Sequence, residues 1–265
     1  MSAARSKPVI KSPRELDLMA AAGGLVCAIL DELEALAEPG VTTAELNEVA
    51  ARRIRDAGAT ALFFGVVNKE ARFPFPASIC SSVNCEVVHG IPNDRPLAEG
   101  DIVSVDVGVR LRGYCGDSAR TFAIGQVTPE AGRLLEVTRG ALELAIEEIR
   151  PFVRWSVVAR RIQERIERAG FGVVREFVGH GIGAEMHEEP KVPNYVDRDS
   201  RKTDFQLVPG MTLAIEPMVT AGRPEVKFKD RDQWTVVTRD GSLAAHFEHD
   251  VAVTEQGARV LSNGR

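Results

Sequence analysis

The residues of this chain that could perform chemistry are four carboxylates and three histidines, spread over some 160 positions: His89, Asp106, Asp117, His180, His187, Glu216 and Glu248. Near neutral pH the carboxylates carry about four negative charges, which two divalent cations would balance. Oxygen-rich ligation with a single imidazole favours Mn, Fe(II) or Co, with Zn left open. Two such ions, bridged by carboxylates and a water or hydroxide, generate a nucleophile and polarise a carbonyl. The residue types therefore predict metal-assisted hydrolysis.

The five histidines divide into two groups. Three stand in motif-like contexts beside glycine, glutamate or proline: His89, His180 and His187. A neighbouring glycine permits a close backbone approach that a packing histidine does not require. The other two are interpreted as packing residues, with Glu248 between them as the site residue: His246 and His249.

Several familiar catalytic motifs are absent from the sequence. His187-Glu188 is followed by Glu189 and Pro190, so H-E-x-x-H is missing and proline forbids its helix. The glycines at 179, 181 and 183 have the wrong spacing for a dinucleotide fingerprint, and neither G-x-S-x-G nor a P-loop occurs. Zincins, serine hydrolases of that type, Rossmann enzymes and P-loop ATPases are thereby excluded.

Composition bounds the class of protein. The 265 residues are 44% hydrophobic and 27% charged, which is typical of a globular chain able to bury a core. A net charge of -5 makes nucleic acid a poor first partner. The four cysteines form no C-x-x-C pair, which favours reduced thiols in the cytosol. The sequence lacks an apolar leader and any run of the ~20 apolar residues that span a bilayer, so we expect a cytoplasmic protein without membrane binding.

Two helix pairs should position the polar residues. Capping boxes at Ser12-Pro13-Arg14-Glu15 and Thr42-Thr43-Ala44-Glu45 predict helices running to about Ala37 and Gly58. A second pair is predicted from Pro129 to Pro151 and from about 156 to 170, because proline and glycine interrupt the chain there.

The helix pairs predict a duplicated α+β unit. Pro39 and Pro151 are 112 positions apart, and Ala57-Gly58 and Ala169-Gly170 have the same separation. Coincidence within an ordinary α+β chain is the alternative. We expect an N-terminal extension over 1–11 and a single catalytic domain over 12–265, with halves of about 12–125 and 126–265.

The first half should carry its two carboxylates on one hairpin. From Ile102 to Val109 valines alternate with small or acidic residues, so Asp106 faces away from the core. With a turn centred between Leu111 and Arg112, Asp106 and Asp117 become direct cross-strand partners, with Cβ atoms roughly 5 Å apart. A cation between them would relieve their repulsion.

The second half repeats this design. A strand from Met211 to Glu216 places Glu216 on the face opposite Leu213. Asp240-Gly241 predicts a hairpin between residues 234–237 and 245–248, which brings in Glu248. Each half thus contributes two carboxylates from strands.

These motifs resemble those of type I methionine aminopeptidases. The match follows the family's order over nearly the whole chain, at Ser82-Val83-Asn84, Val88-His89-Gly90-Ile91-Pro92, Asp101-Ile102-Val103, Asp106-Val107, Gly116-Asp117, Gly179-His180-Gly181-Ile182-Gly183, His187-Glu188-Glu189-Pro190, Glu216-Pro217-Met218 and Glu248-His249. The resemblance implies the α+β pita-bread fold, in which a pseudo-two-fold antiparallel sheet is covered by two helix pairs. It also implies a dinuclear metal site between the halves.

The resemblance implies roles for all seven residues. One metal would be bound by Asp106, Asp117 and Glu248, and the other by Asp117, His180, Glu216 and Glu248. Glu216 would be the general base for a metal-bridging water, and two residues would orient the peptide and stabilise the oxyanion: His89 and His187. The implied reaction removes the initiator methionine from nascent proteins and peptides with a small second residue. A monomer with transient ribosome contact is the family expectation.

Four further residues align with positions that line the family's methionine pocket: Phe75, Cys80, Met186 and Trp234. Relatives commonly have an aromatic at the place of Met186, but methionine is flexible and could pack a thioether. The hairpin predicted at Asp240-Gly241 would turn Trp234 away from Glu248 unless a bulge intervenes. Plain core packing is the alternative for Phe75 and Trp234. The loop from Val67 to Pro74 is more charged than expected, and Cys85 replaces an acidic or polar residue.

Three alternatives exist within this fold. An Xaa-Pro-cleaving peptidase usually carries a sizeable domain ahead of the catalytic one, and little precedes Ser12 here. A type II methionine aminopeptidase would need an inserted helical segment, but only 28 residues separate His187 from Glu216. A non-catalytic relative that binds peptides, ribosomes or RNA would have lost metal ligands, whereas all five expected ligands are present.

Overall fold

The structure, a computed structural model, describes residues 8–198, 200–229 and 232–263. The helices in these ranges are α1 Pro13–Leu36, α2 Thr43–Asp56, α3 Pro129–Glu148, α4 Trp155–Arg168 and α5 Ser200–Thr203. None of them is long and apolar enough to cross a membrane. Of the predicted N-terminal extension, residues 1–7 lie outside the described part. Its last residue, Lys11, is buried and pairs with Glu188 at 2.5 Å.

Fifteen strands are described, and every pairing between them is antiparallel. They are β1 Thr60–Ala61, β2 Cys80–Val83, β3 Glu86–Val88, β4 Ile102–Leu111, β5 Tyr114–Ala123, β6 Gly172–Val173, β7 Gly179–Gly181, β8 Glu188–Val192, β9 Thr212–Ile215, β10 Met218–Thr220, β11 Val226–Phe228, β12 Val236–Thr238, β13 Ala244–His246, β14 His249–Thr254 and β15 Gly257–Val260. The main sheet of the first half contains β1, β2, β4 and β5, and that of the second runs β15-β14-β9-β7-β8. The helices and antiparallel sheets confirm the α+β class.

The predicted capping boxes form at the starts of both N-terminal helices. Ser12 accepts from the backbone N–H of Glu15, and the Glu15 carboxylate accepts from the backbone N–H of Ser12. Thr42 and Glu45 repeat this arrangement at α2. Each box satisfies amides that a helix start leaves without partners, so the sequence signal locates both helix starts.

The second helix of each pair has the same length and ending. Helices α2 and α4 both span 14 residues and are offset by 112 positions. Each ends at an alanine with nearly equal backbone angles, followed by a glycine at positive φ, Gly58 or Gly170. This correspondence supports the duplication predicted from the sequence, while the boundary between halves stays a prediction.

Each helix pair packs against the main sheet of its own half. In the first half, the alternating valines 103, 105, 107 and 109 are buried against Val26, Ile29 and Leu30 of α1. In the second, Trp155 and Ile162 of α4 share a core with Leu213 of β9 and Val251 of β14. The apolar faces are therefore covered by helices, and the opposite faces are free to carry polar residues.

The predicted register of the β4–β5 hairpin is wrong by two residues. Leu111 pairs with Tyr114, so the turn consists of Arg112 and Gly113, both at positive φ. A two-residue turn of this kind matches the twist of the flanking strands. Asp106 consequently faces Ala119, and Asp117 faces Gly108. Because a two-residue shift preserves side-chain direction, both carboxylates remain on one face as diagonal neighbours.

The hairpin predicted at Asp240-Gly241 does not form. Strand β12 pairs with β11 and β3, whereas β13 pairs with β10. Gly241 does adopt positive φ, but the Asp240 carboxylate accepts from the backbone N–H groups of Ser242 and Arg223. The turn therefore passes the chain from one sheet to another instead of joining two partners.

Candidate metal centre

One cavity of about 200 Å³ gathers every residue that the sequence nominated for the site. Its lining includes all eleven of them: Phe75, Cys80, His89, Asp106, Asp117, His180, Met186, His187, Glu216, Trp234 and Glu248. Seven further lining residues were not nominated: Phe63, Val66, Val88, Phe177, Val178, Met218 and His246. The lining thus combines four carboxylates and four histidines with aromatic and aliphatic residues.

The first half supplies its carboxylates from the polar face of the β4–β5 hairpin. Asp106 stands in the middle of β4, where Cys80 of β2 is its cross-strand partner. The backbone N–H of Asp117 donates to the buried carboxylate of Asp250 at 2.7 Å. Asp117 is thus tied to the strand that follows Glu248, which links the two halves at the site.

The second half supplies two glutamates from neighbouring strands. Glu216 directly follows β9 and Glu248 directly precedes β14, and these strands pair with His249 opposite Ile215. Asn194 donates to the backbone carbonyl of Glu216 at 3.0 Å. The backbone N–H of Glu248 donates to Ala119 of β5 at 2.9 Å. Both backbones are therefore held by hydrogen bonds.

His180 completes the group from β7. Its Nε2 lies 3.9 Å from Oδ2 of Asp117 and 3.8 Å from Oε1 of Glu216. Its Nδ1 lies 2.9 Å from the carbonyl oxygen of Gly181, which can only accept, so Nδ1 carries the proton. Nε2 is then free to bind a cation. We call this group the ligand cage: Asp106, Asp117, His180, Glu216 and Glu248.

The ligand cage fits divalent cations because it holds acceptors without donors. Among the described residues, no hydrogen-bond partner reaches Oδ1 of Asp106, Oδ1 of Asp117 or Oε1 of Glu248, although these atoms are buried. Asp117, His180 and Glu248 also present ligand atoms within 4.8 Å of one another. Buried carboxylate oxygens without donors are costly unless a cation neutralises them.

Burial and mutual repulsion shift the acidic pKa values. Burial first, and then the neighbouring Asp117, raises the pKa values of Asp106 and Glu248 well above their ordinary range. Burial raises the pKa of Asp117 to about 6, although His180 opposes the shift. For Glu216, burial acts to raise the pKa, but the imidazoles of His246 and His180 outweigh it, and the pKa is lowered. A bound cation would favour the charged form of all four carboxylates.

Two histidines flank the ligand cage without belonging to it. His89 adopts a positive φ of 58° beside Gly90, where a Cβ would overlap the carbonyl oxygen of Ser81. Its burial lowers its pKa to about 4, so it is neutral near pH 7. The ring of His187 lies 4.3 Å from that of His180 at the exposed mouth, and burial of its inner side lowers its pKa. Both can direct a neutral imidazole N–H at a substrate carbonyl.

Three aromatic residues and a cysteine form an apolar part of the cavity lining, which we call the apolar wall: Phe63, Phe75, Cys80 and Trp234. Phe75 meets Trp234 edge-on with ring centroids 5.3 Å apart, and the Trp234 indole N–H donates to the carbonyl of Phe73 at 3.0 Å. The hairpin predicted at Asp240-Gly241 would have turned Trp234 away from Glu248. Since that hairpin is absent, both side chains can line the same cavity. Met186 closes the cavity near Gly108, where a Cβ would lie 3.2 Å from the Met186 methyl carbon.

His246 is the polar residue that sequence reasoning misplaced. Its Nε2 lies 3.6 Å from Oε2 of Glu216 and 3.9 Å from Oε2 of Glu248, so it faces the ligand cage. The available signal was strand alternation, because His246 and Glu248 are two residues apart and share one face. His249 points elsewhere, with Nδ1 2.9 Å from the hydroxyl of Ser262, as a packing residue would.

Comparison with known proteins agrees with this arrangement. The sequence profile of Metallopeptidase family M24 matches residues 17–255, so the chain belongs to that family. The methionine aminopeptidase of Clostridium acetobutylicum is 49% identical over 255 residues, covering 96% of this chain and 98% of that protein. Methionine aminopeptidase 1 of Bacillus subtilis is 45% identical over 254 residues, with coverage of 96% and 98%. The chain is therefore similar to methionine aminopeptidases over nearly its whole length.

Solved structures support the same family at the level of fold. The methionine aminopeptidase of Rickettsia prowazekii superposes with a TM-score of 0.90 at 38% identity, covering 97% of this chain and 100% of that one. That of Thermotoga maritima gives 0.90 at 41% identity, with coverage of 97% and 99%. The prolidase of Pyrococcus horikoshii gives 0.75 at 19% identity and shares the fold, while this chain covers 64% of its length. The pita-bread fold predicted from the sequence is confirmed.

Proposed function

We propose that this chain is a methionine aminopeptidase that removes the initiator methionine from nascent proteins and peptides with a small second residue. The observation that carries the proposal is that one cavity contains both an apolar wall and a ligand cage whose buried oxygens have no hydrogen-bond partner in the described part of the chain. The cage supplies hydrolytic chemistry, and the wall supplies space for one apolar side chain. The relatives named methionine aminopeptidase, at 40–49% identity, support the same assignment.

Two divalent ions are the proposed cofactors, held by the five residues of the ligand cage. The resemblance to methionine aminopeptidases implies that Asp117 and Glu248 would be shared between the ions, and both carry buried oxygens without a hydrogen-bond partner among the described residues. Mn, Fe(II), Co and Zn are all compatible with this donor set. When bound, such ions polarise the scissile carbonyl and activate a water near neutral pH.

The chain's own residues perform the remaining steps. Glu216, whose pKa is lowered despite its burial, stays ionised and is proposed to accept the proton of the attacking water. It can then deliver that proton to the departing amine. His89 and His187, both neutral near pH 7, donate hydrogen bonds to the substrate and to the oxyanion of the tetrahedral intermediate.

The apolar wall is proposed to accept the methionine side chain. Phe75 and Trp234 provide two ring surfaces, and aromatic edges attract a thioether sulfur. A second cavity of about 600 Å³ shares His180 and His187 with the first and is lined by Val9 and Glu189. It provides a path for the rest of the peptide, while the cavity end closed by the wall admits a single side chain.

The biological setting is also a proposal. Removal of an initiator methionine requires access to chains leaving the ribosome, so we propose a cytoplasmic enzyme with transient ribosome contact. We further propose that it acts as a monomer, as the resemblance to type I methionine aminopeptidases implies.

The decisive assay compares the peptide Met-Gly-Met-Met with Xaa-Pro peptides after addition of Mn(II), Fe(II) or Co(II). We expect free methionine from the first peptide with at least one metal, and no release after chelation. Cleavage of Xaa-Pro peptides alone would instead indicate the prolidase-type activity. Failure to release methionine with any of the metals would refute the proposed function.

A further inference from the structure

His246 is a polar residue of the cavity that the proposed function does not use. It is only 2% exposed, and no hydrogen-bond partner reaches its Nε2 among the described residues. The nearest polar atoms are Oε2 of Glu216 at 3.6 Å and Oε2 of Glu248 at 3.9 Å. A buried ring nitrogen without a partner costs free energy, so its aim at two carboxylates calls for an explanation.

The backbone of His246 is fixed by rigid elements. The hydroxyl of Thr121 donates to the His246 carbonyl at 2.9 Å and accepts from its N–H at 2.9 Å. The same hydroxyl lies 2.9 Å from that of Ser104, so a buried pair on the β4–β5 hairpin anchors β13. Strand β13 also pairs with β10, where His246 faces Met218, two residues beyond Glu216. The imidazole is therefore presented to Glu216 by two packed sheets.

The two oxygens of Glu216 face two different imidazoles. Oε1 lies 3.8 Å from Nε2 of His180, and Oε2 lies 3.6 Å from Nε2 of His246. The His180 nitrogen has a free lone pair, because its Nδ1 donates to Gly181. His246 does not belong to the ligand cage, and its Nε2 also faces two carboxylate acceptors, Oε2 of Glu216 and Oε2 of Glu248. A protonated Nε2 suits that position, and a small rotation of the carboxylate closes 3.6 Å to a hydrogen bond.

We propose that His246 is a positioning residue, whose Nε2–H donates to Oε2 of Glu216 and thereby holds Oε1 toward the ligand cage. The inference rests on the proposed role of Glu216 as general base. A carboxylate that can rotate presents the wrong oxygen part of the time, whereas one anchored at Oε2 is preorganised for proton transfer. Partners of this kind are typically worth 10- to 100-fold in activity.

Two variants separate positioning from the other roles of a buried histidine. His246→Gln keeps an N–H donor, and His246→Leu keeps apolar volume but no donor. We expect the leucine variant to lose about 10- to 100-fold in kcat with KM unchanged, and the glutamine variant to recover most of that loss. Both should bind as much Mn(II) as the wild type. His249→Leu is the matched control, since it removes a half-buried histidine that contacts Ser262 and should leave kcat unchanged.

A spectroscopic measurement tests the contact without catalysis. In the Zn(II)-loaded protein, long-range ¹H–¹⁵N NMR should show that Nε2 of His246 carries a proton. An unprotonated Nε2, or loss of bound metal in both His246 variants, would overturn the proposal and indicate a metal ligand. If the leucine variant had the kcat of the wild type, the proposal would be overturned and His246 would be a packing residue. If the wild type releases no methionine, the proposed function fails, and the NMR result alone then decides the role of His246.

Discussion

The ligand cage and the apolar wall lie in the same cavity but differ in how complete they are. The packing and hydrogen-bonding needs of the wall are met by the chain itself, because its rings pack edge to face and the indole N–H of Trp234 has an acceptor. In the cage, buried oxygens of Asp106, Asp117 and Glu248 have no donor among the described residues, and the pKa values of three of its four carboxyl groups are raised. The difference indicates that the cage is built for ions that the chain does not supply, whereas the wall provides shape alone.

Removing a bridging carboxylate should have the largest effect. We expect Asp117→Ala and Glu248→Ala to lose binding of the second Mn(II) ion and to lower kcat/KM by more than about 1,000-fold, since metal activation of the nucleophile disappears. Calorimetric titration with Mn(II) and the peptide assay measure the two losses. A variant that still binds two ions would show that the cage has been assigned wrongly.

Replacing a flanking histidine should separate catalysis from metal binding. We expect His187→Ala to keep its metal and to lose about 100- to 1,000-fold in kcat, the usual cost of one oxyanion donor. Metal content and kcat should be measured on the same preparation. Equal loss of metal in this variant would place His187 inside the ligand cage.

Acidic pH should weaken metal binding by the ligand cage and leave the apolar wall unchanged. The pKa of Asp117 is raised to about 6, which means that the folded, metal-free chain favours the protonated carboxyl group. This contribution to folding stability is complete below the ordinary pKa of 3.8 and is lost as the pH rises through about 6. Protons therefore stabilise the metal-free form and compete with the cation. We expect Mn(II) affinity to fall by about tenfold per unit of pH below 6, and the gain in Tm from Mn(II) to shrink in parallel. An affinity independent of pH from 7 to 5 would contradict this account.

Substitutions in the apolar wall should alter substrate binding without changing the amount of bound metal. We expect Phe75→Leu to raise KM for Met-Gly-Met-Met by about tenfold, because an aromatic surface for the thioether is lost, while bound Mn(II) stays equal to wild type. Phe122→Leu is the control, since Phe122 is equally buried but lies in the first-half core away from the cavity. If both variants changed KM alike, Phe75 would be an ordinary packing residue.

The sequence predicted which residues form the ligand cage more fully than it predicted the strand pairings that bring them together. Capping boxes located α1 and α2, and strand alternation put Asp106 and Asp117 on one face even though their register was shifted. The predicted register was wrong because the short segment Leu111-Arg112-Gly113 allows more than one pairing, and in the structure the turn consists of Arg112 and Gly113. The side-chain period of two made that error harmless to the site.

Long-range choices were less visible in the sequence. Asp240-Gly241 indicates a turn, but a turn does not reveal whether its flanking strands pair with each other or join different sheets. His246 was assigned to packing, although the alternation that presents Glu248 to the cavity also presents His246. A buried histidine can be a packing residue or a site residue, and only its neighbours in three dimensions distinguish the two roles.

The central claim, that the five cage residues hold two ions, can be tested by anomalous diffraction from crystals grown with Mn(II). The account predicts two anomalous peaks, both enclosed by Asp106, Asp117, His180, Glu216 and Glu248. A crystal with no peak inside the cage at saturating Mn(II), or with the ions bound elsewhere on the chain, would contradict it.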